Sequence, residues 1–344
     1  MTKVISVFNN KGGVGKTTMV WNIADSLARR DKRVLMVDFD PQCNLSIAVL
    51  GSERFTETLP TENIPYGKTL RAYLQRFLQS TGDFEFFSHV GKATHSGAEL
   101  LAGDFWLNVY AEQLNLGSDL LTGTGIAKYL VLTKLLEDAN RAGHKPFDFA
   151  IIDLPPSFGS LVRAALYSSD YYLVPCTSDT FSAYCVGLIG QMFPRFLDDW
   201  KVGLERFKDA NRHFQRYDTY GRPKFAGWIF NGYDVRSKTI NRADQVHQEK
   251  IRKAVKEHIL ENEKLDHVGS LPDDGQIGGI EDMNVLVQNS IWQSVPISQL
   301  ADHKPIRGLT GTGGWAGNQV SQIHALGKEF DKIADRILSM CSAS

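Results

Sequence analysis

Long apolar runs are missing from this chain of 344 residues. No stretch approaches the roughly 18 consecutive apolar residues needed to cross a bilayer, so an integral helical membrane protein is excluded. Charge of one sign is missing too. With 38 basic and 39 acidic residues the formal net charge is -1, and no global field draws the molecule to DNA or to anionic lipid. Any basic face has to be local. Cysteines are few: Cys43, Cys176, Cys185 and Cys341 form no CxxC pair and no regular framework. Buried or free reduced thiols in a cytoplasmic chain are the expectation. The run after Lys3, Val4 to Phe8, is too short for the apolar core of a signal peptide. No internal repeat is present. The Gly-rich segment Gly308 to Gly317 follows no strand, and reads as a loop before the last helix.

What is present is ordinary globular composition, 42% hydrophobic and 22% charged. Val4 to Phe8 reads as a buried strand and Asn9 to Gly15 as a polar loop. From Thr17 to Arg30 the apolar residues Val20, Ile23, Ala24 and Leu27 recur at helical spacing. Arg33 to Val37 is a second strand, running into Asp38-Phe39-Asp40-Pro41. Strand, loop, helix and strand make a βαβ unit and therefore a parallel sheet. Further along, the patterns predict helix at Thr69 to Gln79, strand at Phe105 to Tyr110 and helix at Gly125 to Arg141. They then predict strands at Phe147 to Asp153, Tyr171 to Pro175 and Phe225 to Phe230, with Val268 to Leu271 as the last. Nearly all-apolar strands alternating with helices imply a doubly wound α/β fold, with a mostly parallel sheet covered on both faces.

The strongest signal is Lys11-Gly12-Gly13-Val14-Gly15-Lys16-Thr17-Thr18. Glycines let successive backbone N–H groups turn inward around phosphate oxygens, and the helix that follows aims its positive end at the same anion. Lys16 supplies a point charge to the β- and γ-phosphates, and the Thr17 hydroxyl is placed to ligate Mg²⁺. The loop follows a strand and opens a helix, which is the context a phosphate loop requires. The first Gly of the general GxxxxGK[ST] pattern would fall at Asn10, and Lys11 is an additional lysine. The chain is identified as a nucleoside-triphosphate-binding protein, with ATP and Mg²⁺ as its ligands. Asp38 and Asp40 leave the same side of a strand end, and Asp153 closes another strand. The carboxyl edge of a parallel sheet is where such folds bind ligands.

KGGVGKTT, DFDPQCN and IIDLPPS together resemble the motifs of the ParA/MinD/Soj family of deviant P-loop ATPases, within the SIMIBI class of P-loop NTPases. The resemblance covers most of the chain to about Ser182 and is ordered but weaker from Phe225 on. It implies a Soj-like protein with no helix-turn-helix before its first strand. It also implies a single domain over residues 1–344, with enlargements at 52–98 and 191–223 and a C-terminal docking helix over 319–340. By that likeness Lys11 reaches across an ATP-sandwich homodimer, much as an arginine finger would. Asp40 orients the attacking water, Asp38 helps hold the Mg²⁺ shell, and Asp153 contacts Mg²⁺ through water. Asn231 and Pro272 flank adenine. No NKxD motif follows a strand, so ATP is expected rather than GTP.

The implied activity is ATP hydrolysis, with the ATP-bound dimer binding DNA non-specifically and an adaptor protein triggering release. Arg236, Lys238, Arg242, Lys250, Arg252, Lys253 and Lys256 form the one strongly basic segment, and it is the expected DNA contact. Its place in the cell would be cytoplasmic, on the nucleoid. Two alternatives stand beside partitioning. One is a phage-defence or other accessory system that uses the same switch. The other is a MinD-like membrane-positioning switch, for which the mixed charge of the last helix is unfavourable, so no stable membrane association is expected.

Overall fold

A computed structural model describes residues 2–79, 85–116, 120–123, 125–141, 145–212, 217–236, 239–306 and 313–342. Strand β1 (Lys3–Val7) leads through the Gly-rich loop into α1 (Lys16–Ala28), and β2 (Val34–Asp38) follows. Then come α2 (Asn44–Leu50), α3 (Ser52–Thr56), α4 (Leu70–Gln79), β3 (His89–Val90) and β4 (Ala98–Leu101). Helices α5 (Leu107–Leu116), α6 (Ile126–Tyr129) and α7 (Val131–Arg141) precede β5 (Phe149–Asp153), α8 (Ser160–Ser168) and β6 (Tyr171–Thr177). The long α9 (Thr180–Ala210) is followed by β7 (Lys224–Tyr233) and the short hairpin of β8 (Val235–Arg236) and β9 (Thr239–Ile240). Last are α10 (Arg242–Val255), β10 (Gln276–Glu281), α11 (Val285–Gln293) and α12 (Gly317–Ser342).

Eight strands form one sheet in the order β10-β7-β6-β1-β5-β2-β4-β3, parallel except for the edge strand β3. The chain winds outward from β1 in both directions, so the carboxyl end of β1 is a topological switch point, the place where open α/β sheets bind ligands. Two apolar cores follow, one on each face. One gathers α4 to α10 around Phe8, Tyr172, Phe193 and Trp228. The other gathers α1, α2, α11 and α12 around Trp21, Ile151, Ile229 and Phe330. Among the described residues no helix is long and apolar enough to cross a membrane.

Three expectations differ. Phe105 to Tyr110, apolar and aromatic, is not a strand. Asp104 accepts the backbone N–H of Trp106 at 2.8 Å and its carbonyl takes that of Leu107, which starts α5, and the strand here is Ala98–Leu101. The helix from Gly125 to Arg141 is interrupted at Leu130 into α6 and α7. Val268 to Leu271 is not a strand: the isolated bridge there pairs His267 with Phe225, and the last strand is β10, QIGGIE. Glycines weaken a strand signal, but here helix packing requires one. A Cβ on Gly278 would lie 2.5 Å from Ile333 of α12.

Candidate nucleotide site

The loop after β1 is held open by its own side chains. Asn9 donates through Nδ2 to the Pro175 carbonyl at 2.8 Å and accepts the Lys11 N–H at 2.9 Å. Gly13 and Gly15 both take left-handed backbone conformations, φ 73° and 84°. At Gly15 space is also short, because a Cβ would lie 2.6 Å from Asn231 Nδ2. The Lys16 ammonium reaches back along the loop and donates to the carbonyls of Asn9 and Lys11, both at 3.0 Å. Burial lowers its pKa, while Asp153 and Asp40 work in the opposite direction. Next along α1, the Thr17 hydroxyl donates to Asp153 Oδ2 at 2.7 Å. Asp153 Oδ1 is buried without a hydrogen-bond partner.

Three carboxylates stand behind the loop. Burial pushes Asp153 up to about 8 and Asp38 up to about 7, and the neighbouring carboxylates add to both. Concentrated buried negative charge next to a hydroxyl and a lysine calls for positive charge to be brought in. A divalent cation fits that requirement. Asp40 lines the cavity, and its Oδ1 accepts the Gln42 N–H at 2.9 Å, which fixes the carboxylate. Asp38 does not line it. Its Oδ2 accepts both the Ser46 N–H at 2.8 Å and the Ser46 hydroxyl at 2.6 Å, and the side chain is fully buried. In this structure the Asp38 carboxylate faces Ser46. It anchors the start of α2 and, through Ser46 Oγ accepting the Gly103 N–H at 2.8 Å, the segment after β4.

The cavity measures about 620 Å³ and runs from the phosphate loop to a half-apolar end. Gly12, Gly13, Gly15, Lys16, Thr17 and Thr18 line the first part. The far end is walled by Trp21, by Ile47 and Ala48 of α2, by Met283, and by Val287 and Ile291 of α11. Asn231 lies between the two. It lies two residues before the end of β7, donates through Nδ2 to the Val14 carbonyl at 3.0 Å, and keeps a buried Oδ1 with no partner. Pro272 is not in the cavity. It precedes β10 in a turn closed by the Gly275 N–H on its carbonyl, whereas the cavity is lined by Asp282 and Met283, beyond the other end of that strand. Pro272 and the cavity-lining Asp282 and Met283 thus stand at opposite ends of β10. The uncharged α11 sequence carried no motif by which to find its lining residues.

Lys11 is paired within its own chain. Its Nζ donates to Thr177 Oγ1 at 3.0 Å and to Asp179 Oδ2. That cation holds the Asp179 carboxyl below the ordinary range despite partial burial, and Asp179 also caps α9 by accepting the Phe181 and Ser182 N–H groups.

The basic segment is divided by its surroundings. Lys250, Lys253 and Arg242 are exposed on α10, and Lys256 follows it at the surface. Arg252 is partly tied down. It is half-buried, reaching Asp274 at 3.0 Å and donating to Gln276 Oε1 at 3.1 Å. The Arg236 side chain and Lys238 lie outside the described residues.

An AAA domain family model matches residues 2–204. The chromosome-partitioning ATPase Soj of Treponema pallidum is 29% identical over 219 residues, 64% of this chain and 73% of that protein. Chromosome partitioning protein ParA of Myxococcus xanthus is 30% identical over 189 residues, 52% of this chain and 54% of that one. Among solved structures, pnob8 ParA superposes with a TM-score of 0.62 at 19% identity, over 100% of this chain and 99% of that chain. An ATP complex of McdA from Cyanothece gives 0.62 at 15%, over 98% and 96%. At those identities the structures establish a shared fold.

Proposed function

The chain belongs to the ParA/MinD family of P-loop ATPases, and from that premise we propose that it is a Mg-ATP-dependent dimerising switch acting in DNA partitioning or cargo positioning. One observation carries this reading. Lys16, Thr17 and Asp40 line one cavity, Asp153 stands behind it bonded to Thr17, and the second lysine, Lys11, is bonded to the lining residue Thr177.

In this reading Lys16 exchanges the carbonyls of Asn9 and Lys11 for β- and γ-phosphate oxygens. Thr17 and Asp153 would hold Mg²⁺, the threonine through its hydroxyl and the aspartate through water. When bound, the cation would neutralise charge on the phosphates. Asp40 receives and orients the attacking water, its carboxylate fixed by the Gln42 N–H. Asp38 acts at one remove, by placing Ser46 and the loop that carries Asp40. Lys11 leaves Asp179 to stabilise transition-state charge on the other copy.

Base choice follows from Asn231. With Nδ2 committed to the Val14 carbonyl, the free Oδ1 is an acceptor. It suits the exocyclic amine of adenine and disfavours the carbonyl that guanine places there.

DNA binding, if the switch is of partition type, falls to Arg242, Lys250, Lys253 and Lys256, whose phosphate contacts would be salt-dependent and indifferent to sequence. An adaptor protein would trigger hydrolysis, and the ATP state would be nucleoid-associated. The test is sedimentation of the full chain with and without Mg-ATP and random duplex DNA. A dimer that co-sediments with DNA only in Mg-ATP is expected, and Lys250→Glu with Lys253→Glu should remove the DNA but keep the dimer. A wild-type chain that stays monomeric at every nucleotide concentration would end the switch reading.

A further inference from the structure

Two neighbouring hydroxyls at the end of α8 behave differently. Ser169 Oγ donates to the Ala165 carbonyl, one turn back, at 2.8 Å, the usual way for a helical serine to satisfy itself. Ser168 beside it is 3% exposed, and its buried Oγ has no partner. Thr133 on α7, 9% exposed, has a buried hydroxyl in the same condition. So has Asn140, two turns further along α7, at its Oδ1. Buried oxygens left like this cost stability, so three of them around one space call for a common ligand.

The space is a cavity of about 70 Å³ at the amino edge of the sheet, the opposite edge from the nucleotide cavity. Thr2, Glu137 and Asp170 complete its polar lining, and among the described residues no Lys, Arg or His lines it. Residues 133, 137 and 140 share one face of α7. Nearby donors are committed. Thr2 donates to the Phe147 carbonyl at 2.8 Å and accepts Asn140 Nδ2 at 3.2 Å. Asp170 is exposed to solvent, accepts the Val4 N–H at 2.8 Å through Oδ2, and has a second oxygen. The lining is therefore rich in acceptors and carries two carboxylates. A water molecule brings only two hydrogens, whereas a cation attracts every one of these oxygens at once. The volume suits one ion with a little water. Oxygen ligands do not suit soft metals, and no cluster of three or more His, Cys, Asp or Glu stands together among the described residues. Mg²⁺ dehydrates reluctantly and fits so small a space less well than Ca²⁺ or an alkali ion.

We propose that this cavity binds one hard cation, Ca²⁺ or an alkali ion, through the oxygens of Thr133, Glu137, Asn140, Ser168 and Asp170. The ion ties α7 to the turn between α8 and β6. Nothing in this inference depends on the nucleotide reading.

The experiment is a thermal melt of the full, nucleotide-free chain, stripped with chelator and held in choline chloride. CaCl₂, KCl, NaCl or MgCl₂ is then added at constant ionic strength. Asp153→Asn supplies the background, because a cation could also bind the carboxylates behind the phosphate loop. Ca²⁺, K⁺ or Na⁺ should raise the melting temperature saturably, by a few degrees, in wild type and in Asp153→Asn alike. Ser168→Ala/Thr133→Val removes two of the oxygens with little change in volume, and should weaken that cation at least about tenfold. The proposal is overturned by any of four results: no saturable response to these three ions, a response confined to Mg²⁺, one abolished by Asp153→Asn, or one that the double variant leaves unchanged. Should the double variant fail to fold, calorimetric titration of Asp153→Asn with the same salts decides. One bound ion is expected there, and none overturns the proposal.

Discussion

At the phosphate-loop end of the cavity the lining groups are largely consecutive in the chain; at the far end they come from Asp282, Met283, Val287 and Ile291, with Ile47 from the opposite wall and Asn231 at the boundary. The phosphate end works mainly through backbone and charge. Its glycines permit the loop conformation, and Lys16 is held by carbonyls of the same loop. The base end works through shape, an apolar slot between α2 and α11 with one unpartnered acceptor at its boundary. Charge contacts tolerate little substitution, whereas an apolar wall shares its contribution among several side chains. The two ends should therefore differ in how sharply they respond to mutation.

The largest effect is expected at Lys16. Lys16→Ala should weaken ATP binding by at least about a hundredfold, because a buried charge-assisted contact is lost. Titration with a fluorescent ATP analogue checks this, and unchanged affinity would remove the phosphate-loop assignment. Asp40→Ala should bind ATP but hydrolyse it roughly a hundredfold more slowly, the scale of losing a positioned base, and accumulate as the ATP-bound form. Turnover at the wild-type rate would mean that Asp40 does not orient the water.

The base end should respond less. Asn231→Ala removes both the tie to Val14 and the acceptor, and about tenfold weaker ATP binding with reduced preference over GTP is expected. Ile291→Ala should cost a few-fold, on the scale of part of an apolar wall. Pro272→Ala should leave affinity unchanged, and a loss there comparable to Asn231→Ala would restore the proline to the base site and contradict the geometry above.

The smallest effect expected is a pH dependence confined to the phosphate end. Asp153 and Asp38 are pushed up to about 8 and about 7 by burial. The folded chain then holds protons that the unfolded chain releases, so stability should fall as pH rises from about 4 to 8 in nucleotide-free protein with chelator. Asp38→Asn should flatten part of that fall. Melting temperatures at pH 5 and pH 8 decide it, and an equal fall in the variant would assign the dependence to other groups.

The same contrast explains what could be read in advance. A phosphate loop is a local object: the strand, the glycines, the lysine and the helix start are neighbours in sequence, so spacing alone specifies them. The parallel, doubly wound sheet follows from the same alternation of apolar strand and amphipathic helix. By contrast Phe105 to Tyr110 has a strand's composition and becomes helix, because Asp104 organises the turn before it while Thr69 donates to its other oxygen at 2.7 Å. Gln276–Glu281 has two glycines and becomes strand, because α12 passes too close for a side chain at Gly278. Arg252 belongs by composition to a basic surface, yet Asp274 and Gln276 draw it into the structure.

Sequence by itself determined the fold and the phosphate-loop motif with Lys16 and Thr17, and pointed to Asp40 and Asp153, because each lies in a short motif whose chemistry depends on adjacent residues. Tertiary structure alone decided which groups form the base wall, that Asp38 faces Ser46 and not the cavity, and that Lys11 rests on Asp179. These depend on contacts between segments far apart in the chain, 168 residues for Lys11 and Asp179 and 217 for Val14 and Asn231, and no local pattern encodes which of several similar side chains the packing will bring together.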